Sequence, residues 1–366
     1  MGDNILALPD FIREKTTIWD FLKNDATPLV LYGMGNGADI VISQLEKIGR
    51  KPSEIIASDD FVRGQLFHGY KVKKLSQVEE ELGDFIVLIC FGTQIDSVIE
   101  NIKTIARKHK TYVSYIPVFG ENIMTENFLF ENIDDIVKAR NLFKDELSLK
   151  AFDCCLNFYI FGKLFYLFDC ESQKDEVFEN ILKLKNNESY LDLGAYRGDT
   201  IEEFLKYSNG NYSHITALEP DKKTFAKLLG YGEKLENACL INKGIWNREE
   251  VLYFENRCAR GSSLSGEIKG KKALPVEVTT VDALDREFDF TYIKADVEGA
   301  EKEMLMGSVE TLKKGKAKWN IAVYHRTEDF FRLPLLMHSV NPHYKFYMRH
   351  HKYVPFWDTN IYCVPD

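Results

Sequence analysis

Twice in this chain a short apolar run breaks into glycines and then into a helix-forming segment, and no other feature restricts the fold as much. Leu29-Val30-Leu31-Tyr32 leads into Gly33-Met34-Gly35-Asn36-Gly37-Ala38, and Tyr190-Leu191-Asp192-Leu193 leads into Gly194-Ala195-Tyr196-Arg197-Gly198-Asp199-Thr200. A run of four apolar residues is too short for a helix. Followed by glycine and then by apolar residues at three- and four-residue spacing, it reads as a strand feeding a helix. The first unit continues with a helix (Ile40, Val41, Leu45, Ile48), strands at Glu54–Ala57 and Phe85–Phe91, and a helix over Ile95–Arg107. After the second loop, strands are expected at Ile215–Leu218, Cys239–Asn242, Tyr292–Ala295 and Trp319–Tyr324. Lys345–Met348 and Asn360–Val364 follow with no strong helix between them, which predicts a late antiparallel hairpin. Glu121–Lys185 has no strand signal and no proline, and reads as a connector of several short helices. The expected fold is α/β, with a smaller α/β domain over 1–120, a helical connector over 121–187 and a mainly parallel sheet over 188–366.

Composition narrows the class. The 366 residues are 45% apolar and 28% charged, which excludes a disordered chain and fits about two domains. A net charge of −9 argues against a general nucleic-acid binder. The seven cysteines include no CxxC pair, so neither a disulfide framework nor a zinc knuckle is expected, and a reducing cytoplasm is the simplest setting. The opening MGDNILALPDFIREK lacks the basic and apolar regions of a secretory signal. Phe152–Phe168 holds seven aromatics but is interrupted by Asp153 and Lys163, so a spanning segment is not expected. A helix buried against a sheet fits it better than one lying on a membrane, because its polar face is poor in Lys and Arg.

The first glycine loop fits G-x-G-x-x-A, and Asp59 lies where an acid would hold a ribose. Asp39 at the helix start would repel a phosphate there. Nucleotide binding and a plain tight turn both remain open for this loop.

The second loop carries two acids, Asp192 and Asp199, which disfavour a pyrophosphate and suit a ligand bearing sulfonium and ammonium groups, such as S-adenosylmethionine. Gly194 and Gly198 permit close approach to the backbone, and Thr200 and Glu203 have capping-box spacing. The next strand ends in Glu219-Pro220-Asp221. Glu219 is suited to both hydroxyls of a ribose, and Pro220 stops the strand. Both acidic strand ends fall at the carboxyl edge of the sheet, where ligands bind in open α/β folds.

LDLGAYRGDT, ALEP, NKGIW, VEVTTVDAL and YIKADVEGAEKEML, in that order, resemble the FkbM family of S-adenosylmethionine-dependent methyltransferases over roughly Glu188–Pro365. The resemblance implies a Rossmann-like methyltransferase domain that methylates a hydroxyl of a sugar or natural product. The N-terminal unit more loosely resembles the small Rossmann-like domains found beside sugar-modifying enzymes. Under this reading Asp192, Gly194, Tyr196, Gly198, Asp199, Thr200, Glu219, Pro220 and Asp221 form the cofactor site.

Asp296 and Glu298 follow the strand Tyr292–Ala295 at the carboxyl edge, where they could orient an acceptor hydroxyl or hold a divalent metal. The acidic start and basic end of the helix that follows account for Glu301 and Glu303 without a function. Methyl transfer is an in-line displacement helped by a base. His325, after the strand Trp319–Tyr324, is the preferred base because an unperturbed imidazole is half neutral near pH ~6.5; Asp296 is the second choice. Gly315–Lys352 holds seven Lys or Arg against two acids and suggests a docking surface for an anionic acceptor. Strand alternation puts Arg349 and His351 on one face and His350 on the other. Arg260-Gly261-Ser262-Ser263 is a candidate substrate loop. Two rivals to a glycan O-methyltransferase are an NAD-dependent nucleotide-sugar oxidoreductase using the first loop and a non-catalytic nucleotide-binding scaffold. Homo-oligomerisation stays open.

Overall fold

The computed structural model describes residues 8–14, 16–115, 117–120, 122–255, 263–265 and 273–366. The first unit is a four-stranded parallel sheet. Leu29–Tyr32 pairs with Glu54–Ile56 on one side and Ile86–Ile89 on the other, and Lys110–Tyr112 adds the outer strand. Both central strands are fully buried, and their alternating side chains enter two different cores. Leu29, Leu31, Ile86 and Leu88 pack with Ile18, Trp19 and Leu22 of the helix Ile18–Asn24 and with Val41 and Leu45 of Asn36–Lys47. Val30, Tyr32, Val87 and Ile89 pack with Ile99, Ile102 and Ile105 of Asp96–Lys108.

The second sheet has seven strands in the order Tyr344–His350, Thr359–Pro365, Lys318–Ala322, Tyr292–Ala295, Ser189–Leu193, His214–Leu218, Ala238–Ile241. The last five are mutually parallel, and the first two form the expected antiparallel hairpin against Lys318–Ala322. A second small sheet was not expected. In it Glu250–Glu255 runs antiparallel to Ala273–Thr279, flanked by Gly244–Ile245 and Ser263–Ser265. The helix Asp329–Val340 was not expected either. It contains Pro334 and buries Phe330, Phe331, Leu333 and Met337, so it lacks the polar face that marks a surface helix.

Between the sheets the chain forms two full-length helices, Glu126–Arg140 and Glu146–Phe161, followed by the expected short ones at Phe165–Asp169, Lys174–Glu176 and Val177–Leu182. Thr125 and Asp145 cap them by accepting from the amides of Phe128 and Ser148. Glu146–Phe161 is buried on nearly every side, so the aromatic stretch is core. Tyr159 stacks on Tyr115 at 3.7 Å, Phe152 meets Phe330 at 5.2 Å and Phe158 meets Phe356 at 5.6 Å. Gly162 ends the helix at φ 65°, where a Cβ would lie 2.6 Å from the Val113 carbonyl oxygen. Among the described residues no helix is long and apolar enough to cross a membrane.

The two sheets meet through their carboxyl edges. Thr93, just past Ile86–Ile89, exchanges backbone hydrogen bonds with Val354 at 2.7 and 2.9 Å. Gly92 lies under the Trp357 ring, which a Cβ would meet at 2.4 Å.

Candidate active site

Ser189–Leu193 is buried along its whole length and delivers Asp192 to the carboxyl edge. Gly194 turns the chain at φ 80°, and a Cβ there would lie 2.0 Å from the carbonyl oxygen of Asp296. The loop after Ser189–Leu193 and the end of the strand Tyr292–Ala295 are therefore packed backbone to backbone, which requires glycine. Asp192 is fully buried; its Oδ2 accepts from the Thr200 hydroxyl at 2.5 Å and its Oδ1 has no hydrogen-bond partner. Burial pushes its carboxyl up to about 6, while Lys294 and Thr200 pull the other way. The Thr200 hydroxyl thus serves Asp192, and the expected capping box is not formed. The helix Asp199–Tyr207 starts at Gly198 without a side-chain cap, and Glu203 pairs with Lys174 at 2.7 Å. Asp199 and Tyr196 are exposed at the loop surface.

Glu219 is 8% exposed and binds back across the loop. Its carboxylate accepts from the amide of Tyr196 at 3.1 Å and from that of Asp221 at 2.9 Å. Burial pushes it up to about 7 despite these two donors. Asp221 accepts from Thr224 at 2.8 and 2.9 Å and caps the helix Lys222–Gly232, which accounts for this acid without a ligand.

On the acceptor side, Asp296 is one-third exposed at the end of Tyr292–Ala295. The Tyr324 hydroxyl reaches its two oxygens at 3.1 and 3.2 Å. Lys294, which pairs in register with Asp192 in the neighbouring strand, places Nζ 3.9 Å from Asp296 and 4.0 Å from Asp192. His325 is 1% exposed. Its Nδ1 lies 2.8 Å from Glu301 Oε1, and its Nε2 lies 3.3 Å from Asp296 and 3.6 Å from Glu298. Burial alone would pull the imidazole down, but these carboxylates outweigh it and push it up to about 10. The premise of an unperturbed, half-neutral imidazole is therefore corrected: in this surround His325 holds a proton at neutral pH. Asp329, also buried, accepts from the Arg326 amide at 3.1 Å. The pair left open for a metal, Asp296 and Glu298, is not the set the fold brings together. Asp296 groups with Glu301 and His325, each offering a ligand atom within 4.8 Å of the others, while Glu298 stands outside that set and is half exposed.

Lys294, Tyr324, Glu301 and Asp329 were missed by sequence reasoning. Lys294 had a readable signal, since a lysine inside a four-residue strand flanked by Ile293 and Ala295 needs a buried acid beside it.

The basic stretch is largely paired with acids and does not sit wholly at the surface. Lys318 pairs with Glu188 at 2.6 Å at the amino edge of the sheet, and Lys345 pairs with Asp366. Arg349 is 3% exposed and held by Glu176 at 2.8 and 3.0 Å and by Asp145 at 3.1 Å. His350 is buried against Phe356, and His351 bonds Tyr362 and Ser172. In the first glycine loop Gly37 is fixed by packing, since a Cβ would lie 2.0 Å from the Cys90 carbonyl oxygen. Asp39 pairs with His68 at 2.7 Å, and Asp59 is a surface acid near Lys74. These contacts account for the loop as a tight turn. Residues Arg260–Ser262 of the candidate substrate loop lie outside the described residues.

The methyltransferase FkbM domain family matches residues 192–355, the span that holds every acid of the site. The crystal structure of methyltransferase FkbM from Methylobacillus flagellatus is similar across 97% of this chain and 94% of that one, with 19% identity and a TM-score of 0.70. That likeness covers both sheets and fixes the fold. Aeropyrum pernix fibrillarin in complex with S-adenosyl-L-methionine matches 52% of this chain and 73% of its own, at 13% identity and a TM-score of 0.32. Precorrin-6y C5,15-methyltransferase from Geobacter metallireducens matches 52% and 86%, at 13% identity and 0.32. No curated protein matches the chain. With that family matching across residues 192–355 and the fold of a methyltransferase FkbM shared over both sheets, the chain carries a methyltransferase FkbM domain and is an S-adenosylmethionine-dependent methyltransferase.

Proposed function

We propose that the chain methylates a hydroxyl of a sugar, glycan or glycan precursor at the carboxyl edge of its seven-stranded sheet. The carrying observation is the half-open carboxylate of Asp296, set one strand from the buried Asp192 and bonded by Tyr324. The backbone of Gly194, Tyr196 and Gly198 and the carboxyl of Asp192, with Thr200 behind it, cradle the methionine end of the cofactor. Glu219, turned by Pro220, takes the ribose, and Asp199 adds negative charge at the rim. The acceptor oxygen attacks the methyl carbon opposite sulfur; the S–CH3 bond breaks as the O–CH3 bond forms, and the hydroxyl proton passes to Asp296. His325 positions Asp296 through its Nε2.

A hydroxyl acceptor of the glycan class rests on the family resemblance and on this carboxylate. Six described cysteines are unpaired thiols, which supports a cytoplasmic setting. The test is incubation with S-adenosylmethionine and a panel of mono- and oligosaccharides, read by mass spectrometry. The reading expects a product gaining one methyl on oxygen. Cofactor binding with no methylated hydroxyl in any acceptor would favour the scaffold.

A further inference from the structure

We propose that Asp296, Glu301 and His325 form a divalent-cation site at the acceptor side of the cleft. One ligand atom from each lies within 4.8 Å of the others. This is a mixed donor set of two carboxylates and an imidazole, whose Nε2 proton the ion would displace on binding, and two of its three members are sealed from solvent, with Glu301 at 0% and His325 at 1% exposure. Glu301 supplies the second observation. Its Oε1 accepts from the Val297 amide at 3.0 Å and faces His325 Nδ1, but its Oε2 has no hydrogen-bond partner. A bare carboxylate oxygen on a fully buried side chain is costly unless something binds it.

The charge around it calls for a cation. Three carboxyls, those of Asp296, Glu298 and Glu301, lie within 3.6 Å of one imidazole. The Lys294 ammonium is shared with Asp192, and the Arg326 Nε–H donates to the Gly299 carbonyl. Adjacent ligands of a six-coordinate ion at ~2.1 Å sit about 3.0 Å apart. The 3.3 Å between Asp296 Oδ1 and His325 Nε2 is close to that edge.

The ligands also stand on fixed elements. His325 follows the strand Lys318–Ala322, and its carbonyl accepts from the Phe119 amide at 2.9 Å. Glu301 begins a helix and Asp296 ends a strand. No thiolate is present, so the donors suit an oxygen-preferring ion such as Mg2+ or Mn2+ rather than a structural zinc. Asp296 is one-third exposed and leaves the ion a face for an acceptor oxygen. The site's purpose rests on the methyl-transfer reading; its geometry does not.

The experiment uses the full chain after chelator treatment. MnCl2 is titrated while free Mn2+ is followed by electron paramagnetic resonance, and S-adenosylhomocysteine binding is measured in parallel by calorimetry. The expected result is one saturable Mn2+ site per chain, weakened at least tenfold by Asp296→Asn and by Glu301→Gln. The exposed control Glu310→Gln should leave it unchanged. If Glu301→Gln does not fold, the more exposed Asp296→Asn decides. Absence of saturable binding, or equal binding in wild type and Asp296→Asn, overturns the site. Loss of Mn2+ binding alone, with S-adenosylhomocysteine still bound, sinks the cation and spares the cofactor reading; the converse pattern does the reverse.

Discussion

Lys294 stands directly across from Asp192 on neighbouring parallel strands, its ammonium 4.0 Å from that carboxylate and 3.9 Å from Asp296. One buried cation thus joins the acids at the ends of two neighbouring strands. Burial alone would pull its pKa down, and the two carboxylates more than restore it.

Removing that cation strands two carboxylates. Lys294→Met should therefore cost about 3–5 kcal/mol, read as a lowered urea midpoint. The double variant Lys294→Met/Asp192→Asn should recover part of the loss. A midpoint unchanged in the single variant would show that Lys294 does not hold the acids together.

Glu219 gives the site a pH dependence. Its carboxyl is pushed up to about 7, above the ordinary glutamate value near ~4.3. It is therefore largely protonated below pH 7 and becomes the better acceptor for ribose hydroxyls as pH rises through 7. S-adenosylmethionine affinity should increase between pH 6 and 8, and Glu219→Gln should flatten that rise. In the cofactor-free chain the same shift has the opposite sign for stability, which should fall as pH rises from ~4.3 through 7.

Gly37 separates a structural from a binding role for the first loop. Gly37→Ala drives a Cβ to 2.0 Å from the Cys90 carbonyl oxygen. It should destabilise the chain by about 1–3 kcal/mol in thermal melts while leaving S-adenosylhomocysteine affinity unchanged.

Arg349 decides whether the basic stretch docks an acceptor. Its guanidinium is buried against Glu176 and Asp145. Arg349→Ala should lower stability by about 3–5 kcal/mol. It should leave the acceptor KM of the folded fraction where it was.

Much of this architecture was legible because strands announce themselves locally. Tyr190–Leu193 and Tyr292–Ala295 are mainly apolar runs, each carrying one charge, that end in glycine or acid, and their ends mark the site. The helix Asp329–Val340 was hidden by Pro334 and by burial on most faces, which erases helical periodicity. The Glu250–Glu255 and Ala273–Thr279 pair shows no charged–apolar alternation in its sequence, EVLYFE against ALPVEVT, and depends on long-range pairing for its identity. Asp192, Glu219, Asp296 and His325 could be placed at one edge from strand order alone. What surrounds His325 could not: Glu301 reads as a helix-dipole acid until the fold sets it against the imidazole. Likewise, Lys318 and Arg349 look like one basic run, yet tertiary pairing sends them to different acids.

The central claim is that the cofactor settles between Asp192 and Glu219 in the second half of the chain. Calorimetric titration of S-adenosylmethionine into wild type, Asp192→Asn and Glu219→Gln tests it most directly. One site per chain is expected, weakened in each variant by about 1.5–3 kcal/mol as a charge-assisted contact is lost. Equal affinity in all three proteins would contradict it.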